Sequence, residues 1–170
     1  SRLPLDKSLA ITMSNNGGKS ANLRALKLLL LPEVNFKDGQ KKFSFQAADG
    51  TTYSNEDSYK FYFPSTSSFI IGEITNPHKG GAKYCQILMR EPSERLGYRR
   101  WFIQATFDEL EHLFFDTTSA DNKGLGKPTY IEGKTAEKNF KELKGRLVTK
   151  KNELKKLLFS TYSPLQPDSF

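Results

Sequence analysis

Hydrophobic positions along this chain change texture several times, and each texture predicts a different element. Leu9-Ala10-Ile11-Thr12-Met13 has the length and apolar content of a short strand, and the polar, glycine-bearing Ser14-Asn15-Asn16-Gly17-Gly18-Lys19-Ser20 after it reads as a loop. Leu23, Leu26 and Leu30 suit one face of a helix, whereas the unbroken Leu28–Leu31 run before Pro32 suits a buried strand. The strand reading is the one adopted. From residue 40 onward, aromatic and polar residues alternate in Lys42-Phe43-Ser44-Phe45 and in Tyr59-Lys60-Phe61-Tyr62-Phe63, with Asp49-Gly50 as a turn between them, which predicts antiparallel strands. Phe69–Ile74 and Tyr84–Met89, joined by Asn76-Pro77-His78-Lys79-Gly80-Gly81, predict a hairpin.

The charged stretch Ser93-Glu94-Arg95-Leu96-Gly97-Tyr98-Arg99-Arg100 reads as a loop leading into a strand at Trp101-Phe102-Ile103. Thr106-Phe107-Asp108-Glu109 then has the form of a capping box, in which the threonine oxygen and the glutamate satisfy amides at a helix start. A helix over 107–115 follows, with Leu110, Leu113 and Phe114 as its buried stripe. Residues 117–134 lack periodicity and read as a linker or long surface loop. Phe140, Leu143, Leu147, Leu154 and Leu158 recur at helical spacing among lysines and predict one amphipathic helix over 136–159. The expected organisation is a mainly β, α+β domain over 1–117, a linker over 118–134 and a C-terminal helical extension over 135–170.

Charge adds a partner class to this picture. The 170 residues include 26 Lys and Arg against 19 Asp and Glu, a net +7 that favours a polyanion such as nucleic acid. The excess is uneven: residues 1–117 hold 15 basic and 13 acidic side chains, whereas 118–170 hold 11 and 6. A single cysteine, Cys85, excludes an intrachain disulfide and fits a reducing compartment, so the cytoplasm is the expected location. Two histidines and one thiol argue against structural zinc. No apolar run is long enough for a membrane span and no signal peptide is recognisable, so no membrane partner is expected. A start at Ser1-Arg2-Leu3-Pro4 suggests an excised piece of a larger protein.

Few motifs carry chemistry. Gly18-Lys19-Ser20 has the end of a phosphate loop, G-x-x-x-x-G-K-[ST], but Met13 stands at the first glycine and no apolar strand ending in an aspartate follows convincingly. The same amides, lysine and asparagines suit DNA phosphates. Glu142-Leu143-Lys144 and Glu153-Leu154-Lys155 place an acid two residues before a lysine, which in a lysine-rich helix is ordinary surface charge. His78 and His112 have no supporting cluster, and Cys85 reads as a small buried residue. No catalytic residue, metal ligand or cofactor is therefore expected. Tyr98 and Trp101 beside Arg95, Arg99 and Arg100 suit base stacking, or equally a solvated surface.

The order of these features resembles the DNA-binding pseudobarrel family, which comprises the plant B3 domain and its relatives in restriction endonucleases, the effector domain of EcoRII-type and the specificity domain of BfiI-type enzymes. The resemblance covers residues 9–116. It rests on a first strand followed by an Asn-, Ser- and Gly-rich loop, the Pro64-Ser65-Thr66-Ser67-Ser68 loop, the 69–90 hairpin and the Thr106-capped helix. It implies sequence-specific recognition of double-stranded DNA by two arms in the major groove, within a restriction-type enzyme that carries a nuclease or motor domain elsewhere. The implied first arm holds Ser14, Asn15, Asn16, Lys19, Ser20, Asn22 and Arg24, and the second holds Ser65, Thr66 and Ser67. Because the second arm carries little positive charge, Arg95, Tyr98, Arg99 and Arg100 compete for its role. Single-stranded DNA or RNA binding, a nucleotide- or nucleic-acid-hydrolysing enzyme and a protein-docking module are the alternatives.

Overall fold

Two long antiparallel strands organise the molecule, because Phe69–Asn76 (β3) and Ala82–Arg90 (β4) are rich in β-branched and large apolar residues and are separated by glycines that turn the chain. They pair from Phe69↔Met89 to Asn76↔Ala82, and Gly80 and Gly81 both take positive φ in the connection. Tyr98–Ile103 (β5) pairs with β4, and Arg146–Val148 (β8) pairs with β5, giving an antiparallel sheet in the order β3-β4-β5-β8. The structure is a computed structural model that describes residues 19–31, 45–46, 49–76, 79–93, 95–116 and 129–158. The expected strand at 9–13, residues 14–18 of the expected loop, residues 42–44 and most of the expected linker lie outside them.

Before the sheet come Lys19–Leu30 (α1), a two-residue pair of strands, Phe45–Gln46 (β1) and Thr52–Tyr53 (β2), and Asn55–Tyr62 (α2). The turn between β1 and β2 contains Asp49 and Gly50 as expected, with Gly50 at φ 86°. Two expectations are corrected here. Leu23–Leu31 belongs mostly to a helix: alanines, leucines and lysine favour helix, no β-branched residue opposes it, and burial falls on Leu28 and Leu29 while Leu23, Leu30 and Leu31 stay exposed. Tyr59–Tyr62 is likewise helical, with Phe63 as the C-cap, in a helix closed at its start by a capping box in which Ser54 and Asp57 satisfy each other's backbone amides. The buried Tyr59 and Phe63 lie one turn apart, so the alternation of aromatics is a helical spacing seen over too short a window.

After β5, the Thr106 capping box forms as expected, but the helix is only Phe107–Leu110 (α3) with a 3-10 turn at Glu111–Leu113, followed by Phe115–Asp116 (β6) paired with Thr129–Tyr130 (β7). The single long amphipathic helix is corrected to three pieces: Gly133–Glu142 (α4), β8 and Lys151–Lys156 (α5). The break follows from Lys144 at φ 60° and from Gly145, whose amide donates to the Phe140 carbonyl at 2.7 Å. A Cβ on Gly145 would meet that same oxygen at 2.7 Å.

The sheet divides the core. On one face Cys85, Ile87, Met89, Trp101 and Ile103 pack with Leu110, Leu113 and Phe114 and with Ala136 and Phe140 of α4. On the other, Leu28, Leu29, Tyr59 and Phe63 pack against Leu88, while Val148, Leu154, Leu157 and Leu158 cover Phe102. Segments from both sides of the expected linker thus share one sheet and one core. The fold is α+β, with helices on both faces of a four-stranded antiparallel sheet.

Candidate phosphate-binding site at the start of the first helix

α1 begins at Lys19, directly behind Gly17-Gly18, and its first turn contains no acidic side chain. A helix start leaves backbone N–H groups without intrahelical acceptors and carries partial positive charge. At α2, α3 and α4 carboxylates meet that charge: Asp57, Glu109 and Glu132 each bond at the start of their helix. At α1 the residue in the equivalent region is a lysine followed by Ser20, a composition suited to an anion from outside the helix.

The other end of α1 is fastened to the sheet by a buried polar cluster. The Arg100 guanidinium, 3% exposed, donates to the Leu29 carbonyl at 3.1 Å and to the Leu28 carbonyl at 3.0 Å, and also to Gln86 Oε1. Gln86 Nε2 donates to the Leu29 carbonyl at 3.0 Å. A cation therefore sits on the C-terminal carbonyls of α1, where the helix dipole favours it. Burial pulls the Arg100 pKa down from its ordinary value, opposed by Tyr98, whose ring lies 5.7 Å from the guanidinium carbon. Gly72 lets the helix close on β3, since a Cβ there would lie 3.0 Å from Leu29 Cδ1.

The residues expected to touch DNA are distributed as follows. Ser14, Asn15 and Asn16 lie outside the described residues. Lys19, Ser20, Asn22 and Arg24 are on α1 and not in a loop; Asn22 and Arg24 are half-buried, and Arg24 contributes electrostatically at Tyr62, whose hydroxyl burial pushes up to about 12. Ser65, Thr66 and Ser67 form a tight turn closed by Ser65 and Ser68, with the Thr66 carbonyl against Gly133 at the start of α4. This segment is packed on the sheet's helix layer and is not a free arm.

The expected loop is shorter than 93–100, because the strand that follows it starts at Tyr98 and not at Trp101. Tyr98, Arg99 and Arg100 are strand residues of β5 whose side chains alternate between the faces. Arg100 is buried under α1, and Tyr98 stacks on Phe63 at 6.0 Å. Arg99 points to the other face, where its Nε lies 2.8 Å from Glu137 and its Nη1 3.6 Å from Glu91. Trp101 shares the same carboxylate, donating from Nε1 to Glu137 Oε2 at 2.9 Å, so its indole is core and not a stacking platform. Arg95 is exposed and ion-paired with Glu56 of α2. Arg95, Tyr98, Arg99 and Arg100 thus serve three different environments and do not converge.

Glu137 and Gln86 carry structural polar roles that pattern reasoning missed. Both occupy positions that periodicity marks as buried, and a polar residue at such a position signals a paired partner elsewhere. Among the described residues no group of three or more His, Cys, Asp or Glu gathers at metal-binding distance. Cys85 is buried, and burial pushes its thiol up to about 12. No helix among the described residues is long and apolar enough to cross a membrane.

No curated protein and no solved structure matches the chain. The sequence profile of one family does match, over residues 1–166, and that family is described as "Putative Mks condensin complex protein MksF". The match runs through the sheet, the five α-helices of the described residues and both sides of the expected linker. With nearly its whole length aligned, the chain belongs to the MksF family.

Proposed function

We propose that this chain is a nucleotide-binding component of a condensin complex, in which the 14–20 segment and the start of α1 receive the phosphates of a nucleoside triphosphate. The observation that carries the reading is the position of the helix start: α1 begins at the lysine of Gly17-Gly18-Lys19-Ser20. A phosphate loop needs that context, because the amides at the helix start and the preceding glycine-rich backbone surround the phosphates while the lysine neutralises them. Arg100 supports the arrangement from the other end by tying α1 to the sheet. Met13 replaces the first glycine of the motif, so the reading is of binding, and no hydrolytic step is assigned.

Titration of a fluorescent ATP analogue into the chain tests this. Saturable binding is expected, with Lys19→Ala weakening it by about 10- to 100-fold, as loss of a charge-assisted hydrogen bond of roughly 1.5–3 kcal/mol implies. Absent binding, or equal binding by the variant, overturns it. Displacement of the analogue by duplex DNA but not by unlabelled ATP assigns the same chemistry to a DNA backbone instead.

Double-stranded DNA recognition by a two-armed pseudobarrel, as part of a restriction-type enzyme, receives less support. The described sheet is open, with β3 and β8 as its edges, and the residues expected on the arms are split between α1, a packed turn and two faces of β5. A cytoplasmic location remains part of the reading, resting on the single cysteine.

A further inference from the structure

The segment from α4 to α5 wraps around one edge of the sheet. α4 lies on the face of Trp101, β8 forms the edge beyond β5, and α5 lies on the face of Phe102. Each piece turns its apolar residues inward and its lysines outward. On α4, Ala136, Glu137 and Phe140 are buried, while Lys134, Lys138 and Lys141, spaced by four and three residues, are exposed on the opposite side. Lys144 is exposed in the turn and Arg146 on the edge strand, and Lys150, Lys151, Lys155 and Lys156 are exposed around the buried Leu154, Leu157 and Leu158.

The surface is more basic than its composition. Residues 129–158 contain nine basic and four acidic side chains. Of the four acids, Glu137 is buried on Arg99 and Trp101, Glu153 is engaged by Arg146, and Glu132 accepts the Lys134 amide at the start of α4. Within this segment Glu132, whose charge an amide bond does not cancel, and Glu142 are left against the eight lysines. Lysines on an edge strand can serve simply to prevent strand pairing with another chain. One or two side chains on β8 would suffice for that, whereas this band continues over the helices on both sides of the edge.

We propose that the α4–β8–α5 ridge binds the phosphate backbone of duplex DNA without regard to base sequence. Three observations select this partner over an acidic protein. Lysine is depleted in protein interfaces and abundant on DNA-binding surfaces. Within Gly133–Lys156, Leu143 is the exposed large apolar side chain, too little for a protein-binding hot spot. Lysine is also a flexible point charge that meets phosphates without reading bases. The ten residues of α4 extend about 15 Å, the length of some four to five base pairs.

The test is fluorescence anisotropy of two labelled duplexes of unrelated sequence, titrated with the 170-residue chain across a salt series. The wild type is expected to bind both equally, with affinity falling steeply as salt rises. Combined Lys138→Gln, Lys141→Gln, Lys150→Gln and Lys151→Gln substitutions should make the salt slope shallower by about three to four and lower low-salt affinity by about tenfold or more, since each lost phosphate contact removes roughly 0.9 from the slope. Arginine at the same four positions should retain the wild-type slope, which separates lost charge from lost folding. The proposal is overturned by absence of duplex binding, by a slope unchanged in the glutamine variant, by failure of the arginine variant to bind, or by polyglutamate displacing the chain as effectively as unlabelled duplex.

Discussion

Replacing Arg100 with methionine keeps much of the side chain's volume and removes its charge and all its donors. Four acceptors then lose a donor: the carbonyls of Leu28 and Leu29, Oε1 of Gln86 and, more weakly at 3.5 Å, the half-buried Tyr98 hydroxyl. The Leu29 carbonyl keeps the bond from Gln86 Nε2, so the uncompensated groups are the Leu28 carbonyl and the Gln86 oxygen. A buried polar group left unsatisfied costs about 1–3 kcal/mol, and a cation on the last turn of a partly buried helix contributes up to about 2 kcal/mol. Against these stands the relief of desolvating a guanidinium, the same effect that lowers the Arg100 pKa. The net expectation is a loss of roughly 3 kcal/mol, toward the lower end of what breaking a buried charge network costs. Arg100→Lys should lose nearly as much, because one ammonium cannot reproduce the fork that spans two carbonyls and an amide. Urea unfolding followed by circular dichroism measures the loss, and amide exchange in α1 locates it, since α1 should open before the β3-β4 hairpin does. A change below about 1 kcal/mol in Arg100→Met, or exchange in α1 that stays at the wild-type rate, would refute the account of how this helix is held.

The other predictions concern packing and pH. Gly133→Ala should destabilise by about 1–3 kcal/mol, because its Cβ would stand 2.6 Å from the Thr66 backbone carbonyl; thermal melting within about 2 °C of wild type would contradict this. Burial raises the Cys85 thiol and the Tyr62 hydroxyl above their ordinary values, each to about 12. Their protonated forms therefore stabilise the folded state fully below the unfolded values of 9.0 and 10.0, and that stability declines as pH climbs from there toward 12. Urea midpoints should fall across that window, by less in Cys85→Ala, and a midpoint independent of alkaline pH would be the contrary result. At pH near 8, Cys85 should resist a thiol-labelling reagent until the chain is unfolded, and fast labelling of the native chain would show that the β4 core is open.

Local chemistry was readable from the sequence where a few adjacent residues settle the matter. The 69–90 hairpin follows from apolar strands separated by Gly80-Gly81, and the Thr106 box forms because its two partners are three residues apart. The Ser54 box at α2 was equally local but masked by the alternating aromatics after it. α+β character, the basic excess and the lysine-rich C-terminal segment also needed no tertiary information. Tertiary structure decided the rest, because the deciding partners lie far away in the chain. How the helix end at Leu28 and Leu29 is seated on the sheet depends on Gln86 and Arg100, 57 to 72 residues later, which supply donors to its carbonyls. The same bonds turn Arg100 from an expected surface cation into a buried clamp, and Glu137, 36 residues beyond Trp101, does likewise for the indole and for Arg99. Periodicity reports which face of an element is apolar, but it carries no record of which polar side chain another segment will bury, and that choice separated the structural arginines of β5 from the lysines left in solvent on α4 and α5.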